Sequence, residues 1–191
     1  MAGTQTAHRP YVDGRLALLV EEVYAVNNDN GWFDASRTWG DGIGLLHSEV
    51  SEALEAFRDH GLADATVASG RVGGKPEGVG SELADVLIRA LDTCHREAID
   101  PDAVKAAAAL PSRVPKTVSI GETFGDAVAY LHARVTFLGV AEPIGRGPQM
   151  GRLLLALDEV ADKFGVDLQA EYVRKLAFNR TRGYRHGGRT L

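Results

Sequence analysis

Two pairs of acidic residues stand at the same helical spacing in this sequence. Glu49 and Glu52 lie in LLHSEVSEALEAFR, and Glu82 and Asp85 lie in GSELADVLIRALD. Residues three apart on a helix leave the same face, so each pair would present two carboxylates side by side. Buried carboxylates without compensation are too costly to persist, and a hard divalent cation with oxygen ligands would supply that compensation. The spacing therefore predicts a Mg²⁺ site, with Mn²⁺ as a substitute, in which these four side chains are the ligands.

The alternative is a pair of solvated helix faces, where acidic residues at this spacing are common. The apolar neighbours argue against it, because Glu52 lies between Val50 and Leu54, and Val86 directly follows Asp85. Two matched pairs on helices that we expect to pack antiparallel favour the metal site, since clusters of carboxylates in such surroundings often mark function.

The composition is that of a soluble globular protein rich in helix. The chain has 191 residues, of which 45% are hydrophobic, 25% are charged and only 7% are aromatic. Alanine and leucine dominate the apolar set and favour helix. The single cysteine, Cys94, excludes an internal disulfide and a cysteine-based zinc site. Because no apolar run reaches membrane-spanning length and the N-terminus lacks an apolar signal core, we expect a soluble, cytoplasmic protein.

The periodicity predicts one all-α domain over 1–191, folded as a helical bundle. Acidic helices would occupy 14–100, inserted helices about 101–165, and a basic helix and tail 166–191. A glycine-rich loop, SGRVGGKPEGVGS, and a proline-containing linker, PSRVPKTVS, separate helical segments, and RGYRHGGRTL is predicted to be loop or tail. Helices are expected at about 14–28, 40–60, 81–98 (capped by Ser81), 102–110, 121–139, 149–164 and 167–180, with a break at Gly145 to Gly151.

Two similarities within the chain are consistent with a degenerate internal duplication. YLHARV resembles LLHSEV but lacks the acidic pair, and IRALDTCHREAIDPDAV resembles LLALDEVADKFGVDLQAEYV. Coincidence between helices rich in alanine and leucine explains the same similarities, and the sequence leaves both explanations open.

The charge is unevenly distributed. The net charge is −5, yet six Lys or Arg residues and no Asp or Glu lie between Tyr172 and Leu191. A basic tail on an acidic body is typical of a nucleic-acid arm, or of a phosphate clamp beside a metal centre.

Three stretches together resemble the MazG-like all-α nucleotide pyrophosphohydrolases: LLHSEVSEALEAFR, KPEGVGSELADVLIRALDTC and KLAFNRTRGYRHGG. The resemblance implies an oligomeric helical bundle, a homodimer or higher homo-oligomer, that hydrolyses nucleoside triphosphates with Mg²⁺. It makes Glu49, Glu52, Glu82 and Asp85 the catalytic metal ligands. The chain departs from the compact family pattern in the long gap between its acidic pairs and in the insertion at about 101–165. That insertion could supply helices that otherwise come from a partner subunit.

Hydrolysis between the α and β phosphates requires neutralised charge and an activated water, and Mg²⁺ ions supply both. No separate nucleophile is needed for this chemistry. The sequence accordingly contains no GxSxG, HExxH or P-loop motif.

Five further residues are candidate substrate contacts. Lys175, Asn179 and Arg182 share a helix face and are predicted to contact phosphate or sugar, the alternative being a solvated face that favours the helix dipole. Lys75, in the glycine-rich loop, would close over phosphates unless it is merely solvated. Trp32, after the NNDNG turn, would stack on a base unless it belongs to the core.

We therefore expect Mg²⁺-dependent hydrolysis of a (deoxy)nucleoside triphosphate to the monophosphate and pyrophosphate. One alternative is a non-catalytic helical module that binds nucleic acid through the basic tail. The acidic body and the lack of an aromatic-basic patch argue against it, so neither nucleic acid nor a membrane is an expected partner. A di-iron or manganese bundle would need Glu-x-x-His pairs, which the acidic doublets lack. The base, the sugar and the choice between house-cleaning and regulation stay open.

Overall fold

The structure is a computed structural model that describes residues 14–62, 74–108 and 119–188. Residues 69–73 of the predicted glycine-rich loop, most of the proline-containing linker and the N-terminal segment lie outside these ranges. All regular elements within them are helices, which confirms the prediction of an all-α bundle. The helices are α1 (Leu16–Asp29), α2 (Trp39–His60), α3 (Val79–Arg96), α4 (Pro101–Ala108), α5 (Phe124–Gly139), α6 (Pro143–Lys163) and α7 (Leu168–Arg180). The segment Arg185–Gly188 forms a single left-handed turn, because all four of its residues have positive φ.

Helix α3 lies at the centre of the bundle. It packs against α1, α2, α6 and α7, and nearly every residue from Val79 to Cys94 is buried. A helix that is apolar on most of its circumference is stable only when neighbours surround it. The carboxylates of Glu82 and Asp85 are therefore carried by the most enclosed helix of the described chain.

Helix α2 runs antiparallel to α3 and begins at a capping box. The Thr38 hydroxyl accepts a hydrogen bond from the Asp41 amide, and the Asp41 carboxylate accepts one from the Thr38 amide. These two bonds satisfy backbone donors that the first helical turn leaves open. Helix α5 begins with the same device, formed by Thr123 and Asp126.

The helices pair in the same pattern in two halves of the chain. Helices α1 and α2 pack on α3, while α4 and α5 pack on α6, and α2 and α5 contact each other between the halves. At that contact the Nδ1 atoms of His47 and His132 lie 2.8 Å apart. These are the histidines of LLHSEV and YLHARV. A duplicated helix trio would produce this arrangement, although the duplication itself stays a prediction.

The predicted start of α6 at 149 is wrong, because the helix begins at Pro143 and runs through the expected break. Its glycines serve packing. A Cβ atom at Gly151 would lie 2.2 Å from the Val104 carbonyl oxygen, and one at Gly147 would lie 2.8 Å from the Ala103 Cβ atom. Only glycine permits α4 to approach α6 this closely.

The prediction that Ser81 caps α3 is wrong. The helix begins two residues earlier, after Gly78, and the Ser81 hydroxyl donates to the Pro76 carbonyl at 2.9 Å. None of the helices in the described part of the chain combines the length and the apolar character that crossing a membrane requires.

Candidate metal centre and its cleft

Three of the four predicted metal ligands meet in one cluster. Glu49 projects from α2, and Glu82 and Asp85 project from α3, so that one carboxylate oxygen of each lies within 4.8 Å of the others. Glu49 and Glu82 are each only 7% exposed. Glu52 stands apart from this cluster, because it is exposed and accepts a hydrogen bond of 3.2 Å from the Ser48 hydroxyl. Glu49 of the first pair thus meets both acids of the second pair across the α2–α3 contact.

Glu82 carries a buried oxygen without a hydrogen bond. Its Oε2 atom has no donor among the residues that the structure describes. Leaving a buried acceptor unsatisfied costs about 1–3 kcal/mol, and more when the group is charged. Burial raises the pKa of Glu82 to about 7, although the nearby Lys175 ammonium acts in the opposite direction. Burial likewise raises the pKa of Glu49, opposed by Arg89.

The cluster suits a hard divalent cation. Its donors are carboxylate oxygens, the ligand type that Mg²⁺ and Mn²⁺ prefer. A bound cation would contact the Glu82 oxygen that lacks a hydrogen bond. It would also favour the ionised forms of Glu49 and Glu82, whose pKa values are raised by burial. The residues present therefore fit the predicted metal.

Two basic side chains contact the carboxylates, one from α3 and the other from α7. Arg89 on α3 donates from Nε to Glu49 Oε1 at 2.9 Å. Lys175 on α7 places Nζ 2.6 Å from Asp85 Oδ2 and 4.0 Å from Glu82 Oε1. The sequence reasoning missed Arg89, whose position four residues after Asp85 on the same helix face was the available signal.

Lys175 lies beneath the carboxylates. It is 1% exposed and is absent from the lining of the neighbouring cleft, whereas Asn179 and Arg182, predicted to share its role, do line that cleft. Its contact with substrate stays a prediction, but the structure gives its amine other partners.

A cleft of about 410 Å³ opens beside the cluster. This volume is within the range of small-molecule sites. Its lining brings acidic, cationic, amide and aromatic side chains together, and it includes most of the predicted site: Trp32, Glu49, Glu52, Lys75, Asp85, Asn179 and Arg182. Residues that the sequence reasoning did not single out complete the lining, among them Asn27, Ser48 and Arg89, together with His186 of the RHGG tail.

The segment after α7 folds back along one side of the cleft. The Arg185 amide donates to the Asn30 carbonyl at 2.8 Å, and the Arg185 Nε atom donates to the Gly31 carbonyl at 3.1 Å. The His186 ring meets the Trp32 ring edge to face, with centroids 5.1 Å apart. The tail thus positions His186 at the cleft next to Trp32.

Asp92 organises a buried polar network behind the cleft. Its carboxylate accepts hydrogen bonds from Asn27 at 2.9 Å, Arg37 at 3.0 Å and Arg96 at 2.9 Å. Arg96 also donates to the Trp32 carbonyl at 2.8 Å. The network fixes the backbone of Trp32. The Trp32 side chain is largely buried and also lines the cleft, so it contributes both to the core and to the site.

Comparison of the chain with protein-family models, with curated proteins and with solved structures finds no match. The resemblance to MazG-like pyrophosphohydrolases therefore continues to depend on the motifs themselves.

Proposed function

We propose that this protein is a nucleotide pyrophosphohydrolase, which converts a (deoxy)nucleoside triphosphate to the monophosphate and pyrophosphate with Mg²⁺. The observation that carries the proposal is the convergence of Glu49, Glu82 and Asp85 within 4.8 Å, with an open buried oxygen on Glu82. Two of these acids line a cleft that also presents Lys75 and Arg182. Acidic metal ligands beside cationic side chains are what a triphosphate bound with a metal requires.

The three clustered carboxylates would hold Mg²⁺, which when bound neutralises phosphate charge and lowers the pKa of water. We assign Glu52 a different role. Its carboxylate is exposed at the cleft and oriented by Ser48. A carboxylate in that position can accept a proton from an attacking water, provided that the water lies within hydrogen-bond reach.

Other side chains of the cleft lining supply contacts for the rest of the nucleotide. Lys75 and Arg182 place positive charge at the cleft, where phosphate oxygens would be held. Asn179 lines the same cleft and is 92% buried, and its Oδ1 atom has no donor within the described residues. That oxygen can accept a hydrogen bond from a sugar hydroxyl or a base amino group. Trp32 and His186 add aromatic surface.

The arrangement of the basic segment supports an enzyme over a nucleic-acid module. Several of its charges already have partners: Lys175 is buried, Arg174 pairs with Glu171 at 2.8 Å, and Arg180 pairs with Glu22 at 2.9 Å. Arg182 faces the cleft. A segment whose cations are buried, paired with acids or turned to the cleft offers little positive surface to a nucleic-acid backbone.

The homo-oligomer and the cytoplasmic location remain part of the proposal. Three apolar side chains near the α5–α6 connection, Phe137, Val140 and Ile144, are exposed. Exposed apolar groups of this kind are frequent at subunit contacts. Light scattering of the purified chain would test the oligomer.

The test of the proposed activity is product analysis. The chain is incubated with Mg²⁺ and an α-labelled nucleotide, over the eight common nucleotides and several modified ones, and the products are separated. We expect monophosphate and pyrophosphate from at least one of them, and a loss of at least about a hundredfold in Glu49→Gln, as is usual when a group essential to the chemistry is removed.

Glu55→Gln is the matched control. Glu55 is on the same helix, but it is exposed and pairs with Arg58 on the surface. Its turnover should equal that of the wild type. Formation of diphosphate would contradict the assignment. So would a lack of hydrolysis in a chain that still binds metal, and that result would favour the binding module.

A further inference from the structure

We propose that Lys175 is a positioning residue that acts as a built-in cation of the acidic centre and limits it to one divalent metal ion while nucleotide is absent. This inference relies on the metal-binding part of the proposed function. It assigns Lys175 a role distinct from the substrate contact that the sequence predicted.

The ammonium of Lys175 occupies a position enclosed by oxygen atoms. Its Nζ atom lies 2.6 Å from Asp85 Oδ2 and 4.0 Å from Glu82 Oε1, and donates to Ser81 Oγ at 2.7 Å. Since the Ser81 hydroxyl donates its own proton to the Pro76 carbonyl, its lone pairs are available to the ammonium. Two carboxylates and a hydroxyl are also the oxygen set that a metal cation would use.

The packing of α7 prevents the Lys175 side chain from moving into solvent. It is 1% exposed on α7, and α7 packs against α3 along the helix that carries Ser81, Glu82 and Asp85. Lysine is almost never buried to this degree unless it is paired, because removing an ammonium from water costs several kcal/mol. The carboxylate partners therefore offset the cost of burying the ammonium, and its charge counts among those of the site.

The formal charge of the centre is then balanced by one divalent ion. Glu49, Glu52, Glu82 and Asp85 contribute four negative charges, and Arg89 and Lys175 contribute two positive ones through their contacts with Glu49 and Asp85. The formal balance of these six groups is −2, the charge of one Mg²⁺, and the Lys75 and Arg182 side chains at the same cleft make the total less negative still. A second ion would need further negative charge, which a triphosphate supplies. Removal of the ammonium would leave −3 and would vacate an oxygen-lined position.

The number of bound ions tests the inference without any measurement of activity. The full-length protein is titrated with Mn²⁺ at about pH 8, by calorimetry and by electron paramagnetic resonance of free Mn²⁺, in the absence of nucleotide. We expect one Mn²⁺ per wild-type chain and two per chain in Lys175→Ala, which removes the ammonium and leaves space. Arg180→Gln, which removes an exposed charge from the same helix, should bind one.

A second variant covers the case in which the alanine variant fails to fold. Lys175→Met removes the charge but fills the volume, so it should bind one Mn²⁺ at least about tenfold more tightly, since a unit charge a few ångströms away is worth more than 1.4 kcal/mol at an effective dielectric constant of about 20. Circular dichroism identifies the folded variants. If neither substitution folds, the wild-type stoichiometry still tests the predicted limit, since one ion supports it and two ions overturn it.

The outcomes separate this inference from the proposal beneath it. Two ions on the wild-type chain would overturn the role of Lys175 and leave the metal centre intact. One ion of unchanged affinity in a folded Lys175→Ala variant would overturn it as well. A wild-type chain that binds no Mn²⁺ would remove the metal centre itself, and the inference with it.

Discussion

Arg89 and Glu49 connect the two helices of the acidic centre through a hydrogen bond of 2.9 Å between Arg89 Nε and Glu49 Oε1. The side chains are 25% and 9% exposed, so most of this ion pair is removed from water. Burial raises the pKa of Glu49, and Arg89 opposes that effect. The ion pair therefore connects α2 to α3. It also favours the ionised form of the Glu49 carboxyl, which is the form that binds a cation.

Loss of one partner should cost more than loss of both. Arg89→Met would leave Glu49 buried without its donor, and we expect a decrease of about 2–4 kcal/mol in the free energy of unfolding at neutral pH, slightly under the range for fully buried pairs. Glu49→Gln in the Arg89→Met background should recover at least about 1 kcal/mol of it, because no unpaired charge remains. Urea denaturation of the two single variants and the double variant forms the cycle. Additive losses would contradict the coupling.

Glu82→Gln should separate metal binding from folding. The substitution removes the carboxylate with the open buried oxygen, so turnover should fall at least about a hundredfold. Without metal the variant should be no less stable than the wild type above about pH 7, because the cost of burying a charged Glu82 and its repulsion with Asp85 are removed, which offsets the lost attraction to Lys175. Thermal denaturation with and without Mg²⁺ measures both effects. A metal-induced stabilisation as large as that of the wild type would show that Glu82 is not a ligand.

The stability of the metal-free protein should fall as the pH rises through about 7. The pKa of Glu82 is raised from 4.5 to about 7 in the folded chain, so the folded state binds its proton more tightly than the unfolded state does. The resulting stabilisation is complete below about pH 4.5 and disappears above about pH 7, with a magnitude on the order of 2–3 kcal/mol. Unfolding curves at several pH values check this, and the slope should be smaller in Glu82→Gln.

The α2–α3 half of the site could be predicted because its information is local. The i, i+3 spacing within apolar helices gave the faces of Glu49, Glu82 and Asp85, and a single helix–helix contact brings them together. Glu52 belongs to the same pattern, but its exposure depends on how far α2 is rotated against α3, which spacing does not specify.

Lys175 and the start of α6 show what local patterns leave out. Ninety residues separate Lys175 from Asp85, so only the packing of α7 on α3 determines that its helix face meets acids and not solvent. From the sequence alone, the glycines between Gly145 and Gly151 predict a break, although glycine is typical of turns as well as of close helix contacts. The sequence alone does not distinguish these uses.

Gly151→Ala should destabilise the α4–α6 contact. The new Cβ atom would lie 2.2 Å from the Val104 carbonyl oxygen, a backbone atom that can move only with its helix. We expect a loss of about 2–3 kcal/mol in the free energy of unfolding, the cost of inserting a methyl group into a filled core. Gly145→Ala in the same helix is the control, because the new atom would meet Ala141 at an ordinary 3.7 Å. That variant should be neutral or up to about 1 kcal/mol more stable. Equal effects of the two substitutions would contradict the packing role of Gly151.

Gly31→Ala should weaken nucleotide binding by displacing the tail. Gly31 has a φ of +76°, and its Cβ atom would lie 2.1 Å from Cε2 of Tyr184, whose hydroxyl donates to Asp34 at 2.8 Å. Displacement of Tyr184 would also loosen the bond from Arg185 to the Gly31 carbonyl and withdraw His186 from Trp32. We therefore expect KM for the preferred nucleotide to rise at least about fivefold with a smaller change in kcat, the signature of lost substrate binding.

Gly165→Ala separates this clash from the backbone strain that accompanies it. Gly165 follows α6 as Gly31 follows α1, with a similar φ of +71° and the same pattern of backbone hydrogen bonds, but no non-neighbouring atom of the described residues lies within 4 Å of its Cβ position. An alanine there costs about 1 kcal/mol of conformational strain, as at Gly31, without touching the tail. Its KM should match that of the wild type, while Tyr184→Ala, which removes the obstructing ring, should lessen the additional effect of Gly31→Ala. If Gly31→Ala and Gly165→Ala change KM equally, the contact between Tyr184 and Gly31 does not shape the cleft.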